Sequence, residues 1–451
     1  MSKKMRFFEL SFIIYALWYY LPISKGLFSS SVNILFFAFY VISMGYLITY
    51  SLKTKSNQMT PERKCERNLM FIIVAYMVVF FGFYLAGWKQ TDKHIRVSYT
   101  FWGTYLFYYA AYYFPHSRNR IGKLLMFTFV VTYITTFIGV MSDISVVRAL
   151  SDAGSDEVIQ KSLLLKNISN VYFMQMTVLI VPLAMYYAFY KRKCSAISRI
   201  VSILFMIIEL YFLISASLTI SILLYAVAIV LSVLFFSGER VQGTQIIVFT
   251  VFICALLLVD FEGICTWVAD NVNNTYIQKR FISLADIFGG RGASGDVKIR
   301  LELYTSSLKT FLEHPFGIGP NYTYIPLYEG IGHHSQMFDD FARYGVFGVL
   351  FYIGYLKSLY DILRIKYDKI GLKKVVLPTF LIYVAIIILN LSFRSPYESV
   401  FMLYIIYSFA DIVYEKGSKT KKCETVRFLP AENAYGYNLN LTPCQTTDDN
   451  N

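Results

Sequence analysis

Residues 69–88 read LMFIIVAYMVVFFGFYLAGW, an apolar run with no charged side chain. A bilayer's hydrocarbon core is about 30 Å thick and takes roughly 20 helical residues to cross. No water is available there to satisfy exposed peptide groups, so such a run crosses as a helix that closes its own hydrogen bonds. Residues 171–190, VYFMQMTVLIVPLAMYYAFY, repeat the pattern. Outward from these two, comparable runs lie near 8–22, 30–51, 98–114, 124–141, 200–216, 219–236, 244–261, 344–362, 376–393 and 397–414. The expectation is an all-α fold, a polytopic transmembrane helical bundle of about 12 spans with a long helical outer loop. The pair at 200–236 is the tightest, because Ser215–Thr219 barely leaves room for a turn.

Composition points the same way. Charged residues make up 16% of the 451 and hydrophobic ones 56%, whereas an average soluble domain is about 25% charged. Lys3, Lys4 and Arg6 precede the first run, as in a signal peptide. No small-x-small cleavage site follows, so that run reads as a retained first helix. With the longest outer loop set aside, the 42 Lys and Arg concentrate on segments that lie inside when the N-terminus is cytoplasmic. Both termini are therefore expected in the cytoplasm. The net charge of +13 mostly expresses this inner-face bias and argues for no nucleic-acid partner. The six cysteines are scattered, with neither a disulfide framework nor metal-ligand spacing. Walker, Rossmann and zinc patterns do not occur, which argues against soluble nucleotide chemistry.

Four segments follow from this reading. Residues 1–262 hold about nine spans, 263–343 form a long outer loop, 344–414 hold about three spans, and 415–451 are a polar cytoplasmic tail expected to be disordered. A shorter outer loop covers about 142–170. Long loops in compact proteins tend to be functional or disordered, and the one at 263–343 is too well patterned for disorder. It opens on a polar stretch, Asp270–Lys279, and reaches a flexible turn at Gly289-Gly290-Arg291-Gly292. Ser294 or Asp296 could cap a helix in which Ile299, Leu303, Ser306/Ser307 and Phe311 recur at helical spacing, with Arg300 and Tyr304 one turn apart. That helix should stop at His314, because Pro315 disfavours helix in the residue before it. A kinked turn, Pro315-Phe316-Gly317-Ile318-Gly319-Pro320, leads to Tyr322, Tyr324 and Tyr328. Gly332-His333-His334 then starts a second helix that runs into the span at Gly345.

The ordered set Arg300-x3-Tyr304, His314-Pro315-Phe316-Gly317-Ile318-Gly319, His334-Ser335 and Gly345-x2-Gly348 resembles the O-antigen polymerase and ligase superfamily. Each piece alone is a weak signal; their order within one long outer loop between late spans carries the resemblance. It implies a polysaccharide-forming, metal-independent glycosyltransferase without cofactors, acting on the outer face of a bacterial cytoplasmic membrane. It also implies undecaprenyl-pyrophosphate-linked oligosaccharide as donor and, for a polymerase, as acceptor, with a chain-length regulator and a flippase as possible partners. Two departures favour polymerase over ligase. Many members carry a Ser-Arg pair at the outer start of a middle span, where this chain reads Ser215-Ala216-Ser217-Leu218-Thr219. Arg343 stands where ligase-like members often have Glu. The third reading, a non-enzymatic flippase or transporter, would call for internal repeats and charged or broken spans, and Glu209 is nearly alone as a deep intramembrane acid.

Chemistry assigns expected roles. A departing pyrophosphate needs a cation, and Arg stays charged while its fork matches phosphate oxygens. Arg300 is the first choice, with a solvated helix face as the plain alternative. Arg291, Arg280 and Arg394 are the candidates for a second cation. The acceptor hydroxyl must lose a proton, and His titrates near neutrality. His334 occupies the family's His position, either as base or as a cationic pyrophosphate ligand. With helix from Gly332, His333 would share a face with Asp340. Asp339 could orient a His, act as base itself, or simply pair with Arg343 one turn on. Tyr322, Tyr324 and Tyr328 could stack on sugar rings, with Tyr304 a further substrate-binding candidate, although many of the 38 Tyr belong to interfacial belts.

Overall fold

The computed structural model describes residues 21–27, 61–85, 118–142, 157–169, 171–191, 194–216, 219–236, 260–271, 275–291, 295–319, 331–332 and 335–389, with scattered helical positions between 10 and 45 and at 406. Among these residues every regular element is helical. In chain order they are α1 (Pro22–Leu27), α2 (Pro61–Leu85), α3 (Arg118–Ser142), α4 (Glu157–Leu165) and α5 (residues 171–190). Next come α6 (Ala196–Ser215), α7 (Thr219–Phe236), α8 (Phe261–Asn271), α9 (Thr275–Phe288) and α10 (Gly295–Glu313). The last three are α11 (Gln336–Tyr344), α12 (Val346–Asp368) and α13 (Lys373–Leu389).

Four of these are long and apolar enough to cross a membrane: Gly122–Ser142, Phe173–Tyr190, Ala196–Ser215 and Val346–Asp368. A fifth apolar helix, Ile220–Phe236, is shorter. The chain is an integral membrane protein by this pattern. The close pair expected at 200–236 is two helices, α6 and α7, joined across residues 216–218. The expected run at 98–114, the one at 244–261 apart from residues 260 and 261, and the one at 397–414 apart from residue 406 lie outside the described residues, as does the tail, so the described helices account for part of the expected twelve spans.

The main core gathers α2, α5, α6, α7, α12 and α13 around Leu69, Ile73, Val181, Leu213, Leu224, Tyr352, Leu359, Ile382 and Ile386. Small residues let helices close: a Cβ on Gly354 of α12 would meet the Ile72 side chain of α2 at 3.1 Å. Buried hydroxyls are tied across helices, where an unpaired polar group is costly. Tyr225 of α7 donates to the Met206 carbonyl of α6 at 2.9 Å, and the hydroxyls of Tyr355 and Tyr383 lie 2.9 Å apart between α12 and α13. The intramembrane acid Glu209 is fully buried on α6. It accepts from Tyr133 of α3 at 2.8 Å and from Thr177 of α5 at 2.5 Å, so it pins three helices together. Pro182 explains the irregularity of α5. It has no N–H to continue the ladder, and the helix passes through a 3-10 turn at Val178–Ile180 and ends in π geometry at Tyr186–Tyr190.

The segment expected to form the shorter outer loop carries α4, which packs on α1. Asn167 ends it in a left-handed conformation with φ 57°, a region that Asn tolerates better than most residues. Its side-chain oxygen accepts from the Ile23 N–H at 3.2 Å, and its carbonyl accepts from Thr135 at 2.7 Å. The longer loop contains two helices that the sequence reading did not anticipate, α8 and α9, which form an antiparallel hairpin where a polar stretch was expected.

Candidate functional site: the junction of α10, α11 and α12

The helix expected to stop at His314 does so: α10 ends at Glu313. The five residues that follow knit three helices together. The last carbonyls of a helix have no intrahelical partner. Here those of α11 at Ala342 and Arg343 accept from the N–H groups of Ile318 at 3.0 Å and Gly319 at 2.9 Å. At the start of α12, the Val346 N–H donates to the Pro315 carbonyl at 2.8 Å. Such contact between backbones leaves no room for a Cβ. One on Gly317 would collide with the Arg343 carbonyl, and one on Gly345 with the Pro315 carbonyl. Gly345 also sits at φ 58° and ψ −137°, a conformation open to glycine almost alone. Gly348 lets α12 approach the Asp340 carbonyl of α11. The Pro-Gly and Gly-x2-Gly motifs therefore build the scaffold of the site.

The second helix begins later than expected. Ser335 is the N-cap, its hydroxyl accepting from the Phe338 N–H at 3.2 Å, and α11 starts at Gln336. Gly332 therefore lies outside that helix, and the expectation for His333 falls outside the described residues. Ser is a preferred N-cap because its oxygen satisfies an orphan donor, and that preference outweighs the helical extension assumed from Gly332.

Gly332 is instead held against α10. Its N–H donates to the Ser307 hydroxyl at 2.8 Å, and that hydroxyl donates to Asp339 Oδ1 at 2.7 Å. A Cβ on Gly332 would collide with the backbone of Leu303. Ser307, Asp339 and Ser335 are all buried. Ser307 follows Arg300 by seven residues, two helical turns, so both lie on one face of α10.

Tyr304 lies between them on that face. Its hydroxyl donates to the Leu389 carbonyl at the end of α13, 2.8 Å away, and its ring meets Phe338 edge to face. Burial pushes its phenol above the ordinary value. The Arg300 guanidinium opposes that shift, and the Asp339 charge adds to it. Arg300 is partly exposed. The structure thus brings together Arg300, Tyr304 and Asp339, and adds Ser307.

Other expected residues fall elsewhere. Arg291 is exposed and engaged by two acids, Glu262 at 2.6 Å and Asp286 at 3.0 Å. Hydrogen bonds to Asp286 and then Glu262 raise its already high pKa. It closes the base of the α8–α9 hairpin. Arg280 lies on α9, with its side chain outside the described set. His333, His334, Tyr322, Tyr324, Tyr328 and Arg394 lie outside the described residues. The pairing considered for Asp339 and Arg343 gives way to a different one: Arg343 is bound to Asp340 at 3.1 Å, both buried, and Asp340 also accepts from Tyr352 at 2.9 Å. Among the described residues no cluster of three or more His, Cys, Asp or Glu could hold a metal.

Ser307 was visible in the sequence only as one member of an apolar-face repeat. Its partner Gly332 lies 25 residues away, a separation no local pattern reports.

No curated protein matches the chain. A family model described as O-antigen ligase matches residues 201–353, about a third of the 451-residue chain, from α6 into α12. That stretch contains Arg300, Tyr304, Ser307, Gly332, Asp339 and Arg343. Over that stretch the chain is similar to the O-antigen ligase family.

Proposed function

We propose that the chain is a polysaccharide polymerase. It joins undecaprenyl-pyrophosphate-linked oligosaccharide repeat units into O-antigen, capsular or exopolysaccharide on the outer face of the bacterial cytoplasmic membrane. The observation that carries this reading is the seating of Tyr304 and Ser307 of α10 against Phe338 and Asp339 of α11, with Arg300 one turn before Tyr304, inside the family-matched region and beside the membrane-crossing α12.

In the reaction, an acceptor sugar hydroxyl attacks the anomeric carbon of the donor. The new glycosidic bond forms as the bond to the pyrophosphate oxygen breaks, and the hydroxyl proton passes to a base. Arg300 neutralises the departing pyrophosphate, as a planar guanidinium does well. His334 takes the proton, and the Asp339 carboxylate supplies a fixed negative charge. Arg280, Arg394 and His333 are candidates for further contacts to the phosphates, and Tyr304, Tyr322 and Tyr324 for contacts to sugars. The donor, the acceptor and the bilayer are the direct partners; a flippase delivers the units and a chain-length regulator limits the product.

The ligase reading is favoured by one observation, the description of the matching family. Against it, the position where ligase-like members often carry Glu is an Arg locked in a buried ion pair. Deleting the gene and resolving the glycan by chain length separates the two. Single repeat units in place of a ladder support the polymerase. Full-length polymer retained on its lipid carrier supports the ligase.

A further inference from the structure

We propose that Ser307 is a positioning residue for glycosyl transfer, acting through Asp339. The inference rests on the reading of Arg300, His334 and Asp339 given above. A serine hydroxyl has one proton and two lone pairs. In Ser307 the proton goes to Asp339 Oδ1 at 2.7 Å, and a lone pair takes the Gly332 N–H at 2.8 Å. A serine inside a helix would ordinarily turn its hydroxyl to the carbonyl one turn back or to solvent. This one is fully buried and bonded to groups 25 and 32 residues further along the chain.

One end of that bridge meets the chemistry: the hydroxyl fixes the Asp339 carboxylate of α11 and holds Gly332 against α10. The close approach of Gly332 to the Leu303 backbone means that Gly332 cannot move closer to α10 to recover a lost bond. Arg300, two turns earlier on the same face, is carried by the same rigid element. A hydrogen bond to a charged group of this kind is strong enough that its loss slows the reaction about ten- to a hundred-fold.

The test uses full-length protein in a deletion strain, with expression matched by immunoblot and the surface glycan ladder quantified as polymer per cell. Ser307→Ala should lower polymer about ten- to a hundred-fold at unchanged protein level, and Ser307→Thr, which keeps the hydroxyl, should restore most of it. In an Asp339→Asn background, Ser307→Ala should cost far less than in the wild type, since coupled residues are non-additive. A merely structural serine would instead lower the protein level and add its loss to that of Asp339→Asn. A full ladder from Ser307→Ala, additive losses in the double variant, or a Thr variant present at wild-type level but as inactive as Ala would each overturn the proposal. Arg300→Ala and His334→Ala run alongside. If both leave the ladder intact the underlying reading fails, and if both abolish it while Ser307→Ala does not, only the role of Ser307 fails.

Discussion

Arg343, in the last turn of α11, forms a buried ion pair with Asp340 at 3.1 Å, and the same carboxylate accepts from Tyr352 of α12 at 2.9 Å. The pair lies behind the site, against the scaffold that joins α11 to α12, and Arg343 also gives its carbonyl to Gly319. Removing one partner of such a pair strands the other charge in the interior, at a cost of about 3–5 kcal/mol. Arg343→Ala should therefore lower the amount of folded protein in the membrane and the melting temperature of the solubilised protein. Arg343→Ala combined with Asp340→Asn should recover part of the loss. A normal melting temperature in the single variant would contradict the role given to the pair.

The glycines of the motif make a second prediction. At Gly345 the backbone is left-handed and a Cβ would meet the Pro315 carbonyl, so Gly345→Ala should destabilise by more than about 1 kcal/mol. Gly82 on α2 has open space around its Cβ position, and there alanine should be neutral or slightly favourable, as in any helix interior. Comparing the two variants by thermal melting in detergent separates the close-packed glycine from a permissive one.

Glu209 predicts a contrast between two substitutions. Thr177 has a single hydroxyl proton, and its oxygen lies 2.5 Å from both the Met174 carbonyl and Glu209 Oε1. A glutamine can donate to Thr177 while accepting from Tyr133, so Glu209→Gln should retain both stability and polymer. Glu209→Ala leaves the Tyr133 hydroxyl unmatched, at about 1–3 kcal/mol, takes away the link to Thr177, and should lower the protein level. A silent Gln beside a depleted Ala identifies Glu209 as a pin between helices; loss of polymer from a well-folded Gln variant would instead make the acid itself functional.

How much of this was legible in the sequence depends on the length of the signal. The helices at Gly122–Ser142, Ala196–Ser215 and Val346–Asp368 announce themselves because about twenty consecutive apolar residues have few other uses. The end of α10 was legible because Pro315 acts through local sterics. The start of α11 was missed by four residues, since the capping preference of Ser335 competed with an assumed extension from Gly332. The α8–α9 hairpin was missed because short amphipathic helices declare themselves only through their partner. The partner of Arg343 was ambiguous because three- and four-residue spacings both face one another on a helix, and burial against Tyr352 decided between them. The Ser307 bridge was beyond reach: its bonds cross 25 and 32 residues of chain, with the close-packed glycine turn lying between.

Arg291 and Arg300 should separate. Both were candidate phosphate ligands, but Arg291 already faces Glu262 and Asp286 at the base of the hairpin. Arg291→Ala should leave a ladder close to wild type, whereas Arg300→Ala should lose it. Equal losses at matched protein levels would return Arg291 to the site.

The central claim is that the junction of α10 and α11 carries the chemistry of polymerisation. The most direct measurement complements a deletion strain with wild type, Arg300→Ala and His334→Ala at matched membrane levels and displays the surface glycan on a gel. The account predicts a full ladder for the wild type and single repeat units for both variants, as in the deletion. A normal ladder from Arg300→Ala together with His334→Ala would contradict it.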